Sequence, residues 1–286
     1  MRPRGLTRKS KRAGRHTLRQ RGGAYPPIYI VYFAYLDVGA DEWATSRAKK
    51  LVSHQLQELK DIGLADAAKE IHLVFNAPEN NTFNDGSAII LDMAENDMRS
   101  ILPDMIFHGH RGNAYEYEGI KRVWDIAKRV PSAEKHKSLV LYFHSKGMSN
   151  GDKQANVRTP SKELSDIVIK PWKDIVARFE SDQKMNKAGY AASDTGFMWI
   201  NFWWARASYL IHCPRPIITQ ERHHYEGWLG YRKTSNSNNY KRGQITGIRK
   251  DASDCLSLCK VGPKGRLGVV VHPAEEVCVL EAGSQA

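Results

Sequence analysis

Residues 28–36 read IYIVYFAYL. All nine are apolar or aromatic, and no polar residue interrupts them. An unbroken run of this kind marks a strand covered on both faces, as in a parallel sheet between two helical layers. It decides the fold, because parallel strands need crossovers, and helical patterns follow at the right spacing. Residues 41–62 set Trp43, Leu51, Val52, Leu56, Leu59 and Ile62 at helical intervals, with Gly63 as a stop. Residues 71–75 form the next strand, 87–101 a mixed helical segment, and 105–108 a third short strand. Residues 117–130 repeat a helical period through Ile120, Val123, Trp124, Ile126 and Ala127, ending before Pro131. A fourth strand covers 139–143. Residues 164–179 are helical in period, with Pro171 breaking or kinking them. Strands alternating with helices predict an α/β fold with a mainly parallel central sheet flanked by helices. Ligands of such sheets sit beyond the C-terminal strand ends, here Leu36–Asp37, Asn76, His108 and His144.

The net charge of +12 is unevenly spread. Residues 1–24 carry nine Lys/Arg and no acid, and 232–268 carry nine Lys/Arg against two Asp. Three Glu fall in the last eighteen residues, which leaves 25–231 at −1. The body is therefore not built as a general polyanion binder. Residues 1–24 have too few large apolar side chains to offset ordering entropy, and are expected to be a disordered basic tail. That tail suits contact with a polyanion or an anionic membrane surface. It lacks the apolar centre of a secretory signal, though its Arg-rich composition also fits a transit peptide. Residues 25–231 are expected to form one α/β domain, and 232–286 a basic loop and appendage with one short strand, LGVVVH. Cysteines at 213, 255, 259 and 278 read as thiols of a reducing, cytoplasmic setting. The four-residue spacing of Cys255 and Cys259 would let them share a helix face. No apolar run reaches membrane-spanning length.

Chemistry concentrates in two places. Residues 189–231 hold four of the seven tryptophans, with Asn201 among them and Glu226 lying between aromatics in HHYEGWLG. Rings and amides together suit a sugar, and a carboxylate beside them can take a proton from a hydroxyl. Equally, Phe202, Trp203 and Trp204 suit a core. The second place is LYFHSKG at 141–147, where an apolar strand runs into His144, Ser145, Lys146 and Gly147. A lysine at a sheet mouth is a point charge fit for a phosphate. Without a glycine-rich lead-in, this is not a Walker loop. His108 and His110, with His223 and His224, are candidate metal ligands or plain rim residues. Asp194 is a candidate sugar contact or a turn cap.

The order of these segments resembles the nucleotide-sugar glycosyltransferases of the GT-A type. It resembles more closely a group of bacterial and viral glycosyltransferase-like proteins that share a Tyr-x-His-Ser-Lys-Gly strand end, an Asn-Phe-Trp-Trp-Ala segment and an aromatic-Glu-x-Trp-(Ile/Leu)-Gly element. The matching segments are YFHSKG at 142–147, NFWWARASYL at 201–210 and YEGWLG at 225–230, and the resemblance spans about 28–231. It implies a GT-A-like, Rossmann-like sheet. It also implies a nucleoside-diphosphate sugar as donor and a glycan or glycoprotein hydroxyl as acceptor. Tyr35 and Asp37 would seat the base and ribose, while Asn113 and Gly119 match the Asn and Gly that precede the third-segment helix. Lys146, His144 and Ser145 would hold the diphosphate. Asn201, Trp203, Trp204 and Asp194 would face the acceptor, with Glu226 as the base of an inverting transfer. Two departures stand out. His144-Ser145-Lys146 replaces the usual Asp-x-Asp, so the carboxylates that normally hold Mg²⁺ or Mn²⁺ are missing there and a metal is not the favoured cofactor. Ile200 stands where Gly is expected before the Asn. Two other functions fit the residues: a glycan-binding or structural protein on the same fold, or a nucleic-acid-associated protein acting through its basic ends.

Overall fold

The computed structural model describes residues 25–35, 40–79, 89–145, 160–192, 196–221, 223–230, 255–261 and 266–271. The expected alternation is present. The strands are β1 (Ile28–Tyr35), β2 (Ala68–Ala77), β3 (Ile106–Arg111), β4 (Leu139–His144), β5 (Lys187–Tyr190), β6 (Trp203–Arg206), β7 (Cys255–Val261) and β8 (Arg266–Val271). The helices are α1 (Arg47–Asp61), α2 (Leu64–Ala67), α3 (Ile89–Ile101), α4 (Tyr117–Arg129), α5 (Pro160–Leu164), α6 (Trp172–Ser181), α7 (Ala207–Leu210) and α8 (His223–Gly227).

All the strands join one mixed, mostly parallel sheet in the order β3-β2-β1-β4-β6-β5-β7-β8. The first four run parallel, β6 is antiparallel to both its neighbours, and β7 pairs parallel with β5. With helices on both faces this is a Rossmann-like α/β arrangement. Several elements differ from the sequence reading: the segment 41–62 divides into a 3₁₀ turn, Ala40–Thr45, and α1, and β2 extends beyond 71–75 at both ends. β3 runs on to Arg111, so its end lies at His110–Arg111 rather than His108. Residues 255–261 are a strand, not the helix face that the cysteine spacing allowed, and with β8 they extend the sheet. Pairing across a sheet edge leaves no periodic signal in a short segment, which is why only LGVVVH was legible there.

β1 is buried along almost its whole length, and its alternate residues feed two cores. Ile28, Ile30, Tyr32 and Ala34 pack with Val52, Leu56 and Leu59 of α1, Met98 of α3 and Trp172 and Val176 of α6. Tyr29, Val31 and Phe33 pack with Ile120, Val123 and Ile126 of α4, Leu210 of α7 and Tyr225 of α8. Pro171 acts as expected. It follows a π-helical turn, Ser165–Ile169, and stands at the N-cap of α6, where its missing N–H costs nothing. Among the described residues no helix is long and apolar enough to cross a membrane.

α4 lies unusually close to the sheet because of Gly119. A Cβ there would meet Phe33 Cβ at 2.8 Å and the Tyr142 hydroxyl at 2.9 Å. Neither can give way, since both belong to buried strands. Gly119→Ala is therefore expected to destabilise the fold by about 1–3 kcal/mol through overpacking. A urea midpoint equal to that of the parent would show that α4 can ride up without cost.

Candidate functional site

Parallel register aligns the strand ends. Tyr35 lies beside Asn76, Asn76 beside His110, and Phe33 beside His144. β4 is stitched to β1 at this edge by Ser145, whose backbone N–H donates to Phe33 O (2.9 Å) and whose Oγ accepts from the Tyr35 N–H (3.3 Å). Tyr35, His144 and Ser145 thus come together at this edge. Asp37, Lys146 and Asp194 lie outside the described residues. Asn113 is exposed, and its Oδ1 accepts from the Tyr115 N–H at 2.9 Å. This is a local turn in the β3–α4 connection, not a contact with the strand-end row.

The tryptophans need correcting. Trp203 and Trp204 are neighbours on β6, so their side chains point to opposite faces. Both are 0% exposed, Trp203 in the α4 core and Trp204 in the α6 core. Trp204 Nε1 donates to Val168 O at 2.8 Å. Neither ring offers a face on which an acceptor sugar could stack. Asn201, also buried, is a hub instead. Its Nδ2 donates to Glu116 Oε2 (3.0 Å) and to Tyr225 O (3.1 Å), and its Oδ1 accepts from Trp203 Nε1 (3.3 Å). Glu116 Oε2 also accepts from the Tyr142 hydroxyl at 2.9 Å. Burial, then the adjoining Glu116 carboxylate, push the Tyr142 phenol well above its ordinary range, so it stays protonated and donates.

The backbone at this hub is unusual. Ile200 has φ 66° and Asn201 φ 51°. Asn tolerates the left-handed region, but a β-branched residue there is strained. The position where the resemblance expects Gly is thus one where Gly would fit without strain. The carbonyl of Ile200 is held by His144, whose Nε2 lies 3.0 Å away. A carbonyl only accepts, so Nε2 is the donor in this contact.

Glu226 sits in α8 between two buried anchors. Tyr225 and Trp228 are both 0% exposed, and the Glu226 side chain is 20% exposed. Trp228 Nε1 donates to Pro214 O (3.0 Å), and the Tyr225 hydroxyl donates to Ile217 O (3.0 Å). The aromatic residues of YEGWLG therefore fasten a short helix to the core, leaving the carboxylate near the surface. Glu226 Oε2 lies 3.1 Å from Nδ1 of the exposed His223.

Of the other histidines considered for a metal, His110 Nδ1 lies 3.7 Å from Glu118 Oε2, and His108 joins His72 in a hydrogen-bonded chain. Arg122 lies 3.1 Å from His108 Nδ1, His108 Nε2 lies 2.9 Å from His72 Nδ1, and His72 Nε2 lies 2.8 Å from Glu70 Oε2. Arginine only donates and a carboxylate only accepts, so the direction of the chain is set at both ends. Each imidazole donates one hydrogen bond and accepts one, as its neutral form can. Burial, then the Arg122 guanidinium, bring His108 down to about 4, and burial also lowers His72. Burial would raise Glu70, but hydrogen bonds from His72 and Arg129 outweigh it and hold the carboxyl at about 2. Among the described residues no group of three His, Cys, Asp or Glu is arranged to hold a metal ion.

These depressed values have a definite sign. The unfolded chain binds protons that the folded chain refuses, so stability is full above the ordinary His value of 6.5 and falls as pH drops towards 4. Glu70 adds a second loss between its ordinary 4.5 and about 2. The urea midpoint is expected to be level above about pH 7 and to fall through the first window. His108→Asn, which can accept from Arg122 and donate to His72, should flatten that fall; an unchanged slope would refute the role given to the chain.

Glu116, Tyr142 and the Tyr225 carbonyl were not picked out from sequence. Glu116 lies in AYEYEG, three residues before the glycine that brings α4 onto Tyr142, and only that close approach makes it part of the site. Compared with known proteins, the chain matches no protein-family model and no curated sequence.

Proposed function

We propose that this chain is a glycosyltransferase that moves a sugar from a nucleoside-diphosphate sugar to a hydroxyl of a glycan or glycoprotein. The observation that carries this is Asn76. Asn76 is 1% exposed at the C-terminal end of β2, and among the described residues its Oδ1 has no hydrogen-bond partner. A buried amide oxygen without a donor costs about 1–3 kcal/mol. At the ligand-binding edge of a parallel sheet, a ligand N–H or O–H is the natural donor. Tyr35 and His110 flank Asn76 in register, and His144 and Ser145 lie one strand beyond Tyr35. That row suits a nucleotide laid across the strand ends. Lys146, next in sequence to Ser145, would offset the diphosphate charge. In the transfer, the acceptor hydroxyl oxygen bonds to the anomeric carbon and its proton passes to Glu226. The bond from the anomeric carbon to the phosphate oxygen breaks, and its electron pair leaves with the nucleoside diphosphate. The rival view, a non-catalytic glycan binder or structural protein on the same fold, draws on Ile200 and the missing Asp-x-Asp; the burial of Trp203 and Trp204 takes a stacking platform from both readings, and turnover separates them.

Turnover of a panel of UDP-, GDP- and TDP-sugars tests the proposal, and no turnover or binding with any of them would refute it. Lys146→Ala is expected to weaken nucleoside-diphosphate binding by about 1.5–3 kcal/mol. Calorimetry with equal affinity for both proteins would remove the lysine from the site. Because His-Ser-Lys stands in place of Asp-x-Asp, turnover should survive EDTA. Loss on chelation, with recovery in Mn²⁺, would overturn that expectation.

A further inference from the structure

The geometry points to Glu116 as the carboxylate that recognises hydroxyl groups of the transferred sugar; this rests on the function proposed above. One oxygen of Glu116 is immobilised. Oε2 receives both the Tyr142 hydroxyl and the Asn201 amide. Oε1 has no partner among the described residues, and the side chain is only partly buried. The carboxylate is thus held by one oxygen and presents the other. Such an oxygen can only accept, and paired hydroxyls of a pyranose are fitting donors.

Much of the surrounding structure serves this orientation. Gly119 lets α4 approach until Glu116 meets Tyr142. The left-handed backbone at Ile200 and Asn201 turns the Asn201 amide towards Glu116, while Trp203 Nε1 and Tyr225 O hold that amide in place. Strain of about 1–3 kcal/mol is sustained at such positions only where the surroundings over-determine them. The donor sugar is favoured over the acceptor by position. His144, at the proposed diphosphate end, holds the carbonyl of Ile200, and the next residue holds Glu116. The group attached to the diphosphate is the sugar. Glu116 and Asn201 therefore have different tasks: Glu116 touches the sugar, and Asn201 positions Glu116.

The test compares each nucleotide sugar with its own nucleoside diphosphate by calorimetry, in the full chain and in Glu116→Gln. The amide keeps an oxygen for Tyr142 and Asn201 but loses the charge. Its affinity for the sugar nucleotide that the parent binds best should fall about 10-fold or more, with the affinity for the bare diphosphate unchanged. Tyr142→Phe, which removes only a hydroxyl from the support, should shift the sugar-dependent part in the same direction, by a smaller factor, and keeps the test open if the first variant folds poorly. Equal affinities of parent and variants for the sugar nucleotide would overturn the assignment while leaving the proposed function standing. So would an equal loss for sugar nucleotide and bare diphosphate. A parent that binds bare diphosphates but gains nothing from any sugar also overturns it, and one that binds neither overturns both.

Discussion

Glu226→Gln is expected to fold like the parent, bind donor like the parent, and transfer sugar about 10²–10⁴-fold more slowly, the usual cost of losing a general base. The amide keeps the size of the carboxylate and an oxygen for His223, but it cannot take a proton from the acceptor. Folding should survive because the anchors of α8 are Tyr225 and Trp228, both fully buried, and not the carboxylate between them. Donor affinity should survive because the residues proposed to hold the nucleotide and the sugar, at the strand ends and at Glu116, lie on other elements. A variant that transfers at the parental rate would make Glu226 structural. A variant that loses donor binding as well would mean that α8 helps to form the donor site. Asp194 is the next carboxylate to test in either case.

Arg206→Leu is expected to cost about 3–5 kcal/mol of stability. Arg206 is 2% exposed. Its Nε donates to Met185 O (2.7 Å), one terminal nitrogen donates to His136 O (2.6 Å), and the other to Phe179 O and to Asp182 O (3.1 Å). The carbonyls of Phe179, Asp182 and Met185 end α6 and line the turn into β5, where the last carbonyls of a helix have no partner within it, and that of His136 lies in the connection from α4 to β4. One guanidinium satisfies the whole group. Leucine fills part of the volume and leaves several carbonyls desolvated and unpaired. Lysine cannot replace the planar fork, so Arg206→Lys should recover only part of the loss. A Tm for the leucine variant within a degree or two of the parent would show that water enters and pairs with the carbonyls instead.

The α/β alternation was legible in the sequence because it is written in local periods. The unbroken apolar run of β1, the helical spacing of α1 and α4, and the break at Pro171 each depend on neighbours a few residues away. The row of strand ends followed from them, since parallel strands bring their C-termini to one edge. The motifs NFWWA and YEGWLG were likewise recognisable as special. What each residue does in them was not. Trp203 and Trp204 fitted both a sugar platform and a core, and they are core, because adjacent strand residues face opposite ways and here both faces are covered. Asn201 read as a sugar contact, yet its hydrogen bonds go to Glu116, Trp203 and Tyr225. Glu116 showed no pattern of its own, because its partners lie 26 and 85 residues away. Nor did the chain from Arg122 through His108 and His72 to Glu70, which exists only because β2 and β3 pair in one register beneath α4. Local periodicity in the sequence thus determined the first four strands, the helices between them and the edge at which those strands end. Which polar groups meet at that edge was decided only by tertiary structure, because hydrogen-bond partners are chosen by register and close packing between distant segments.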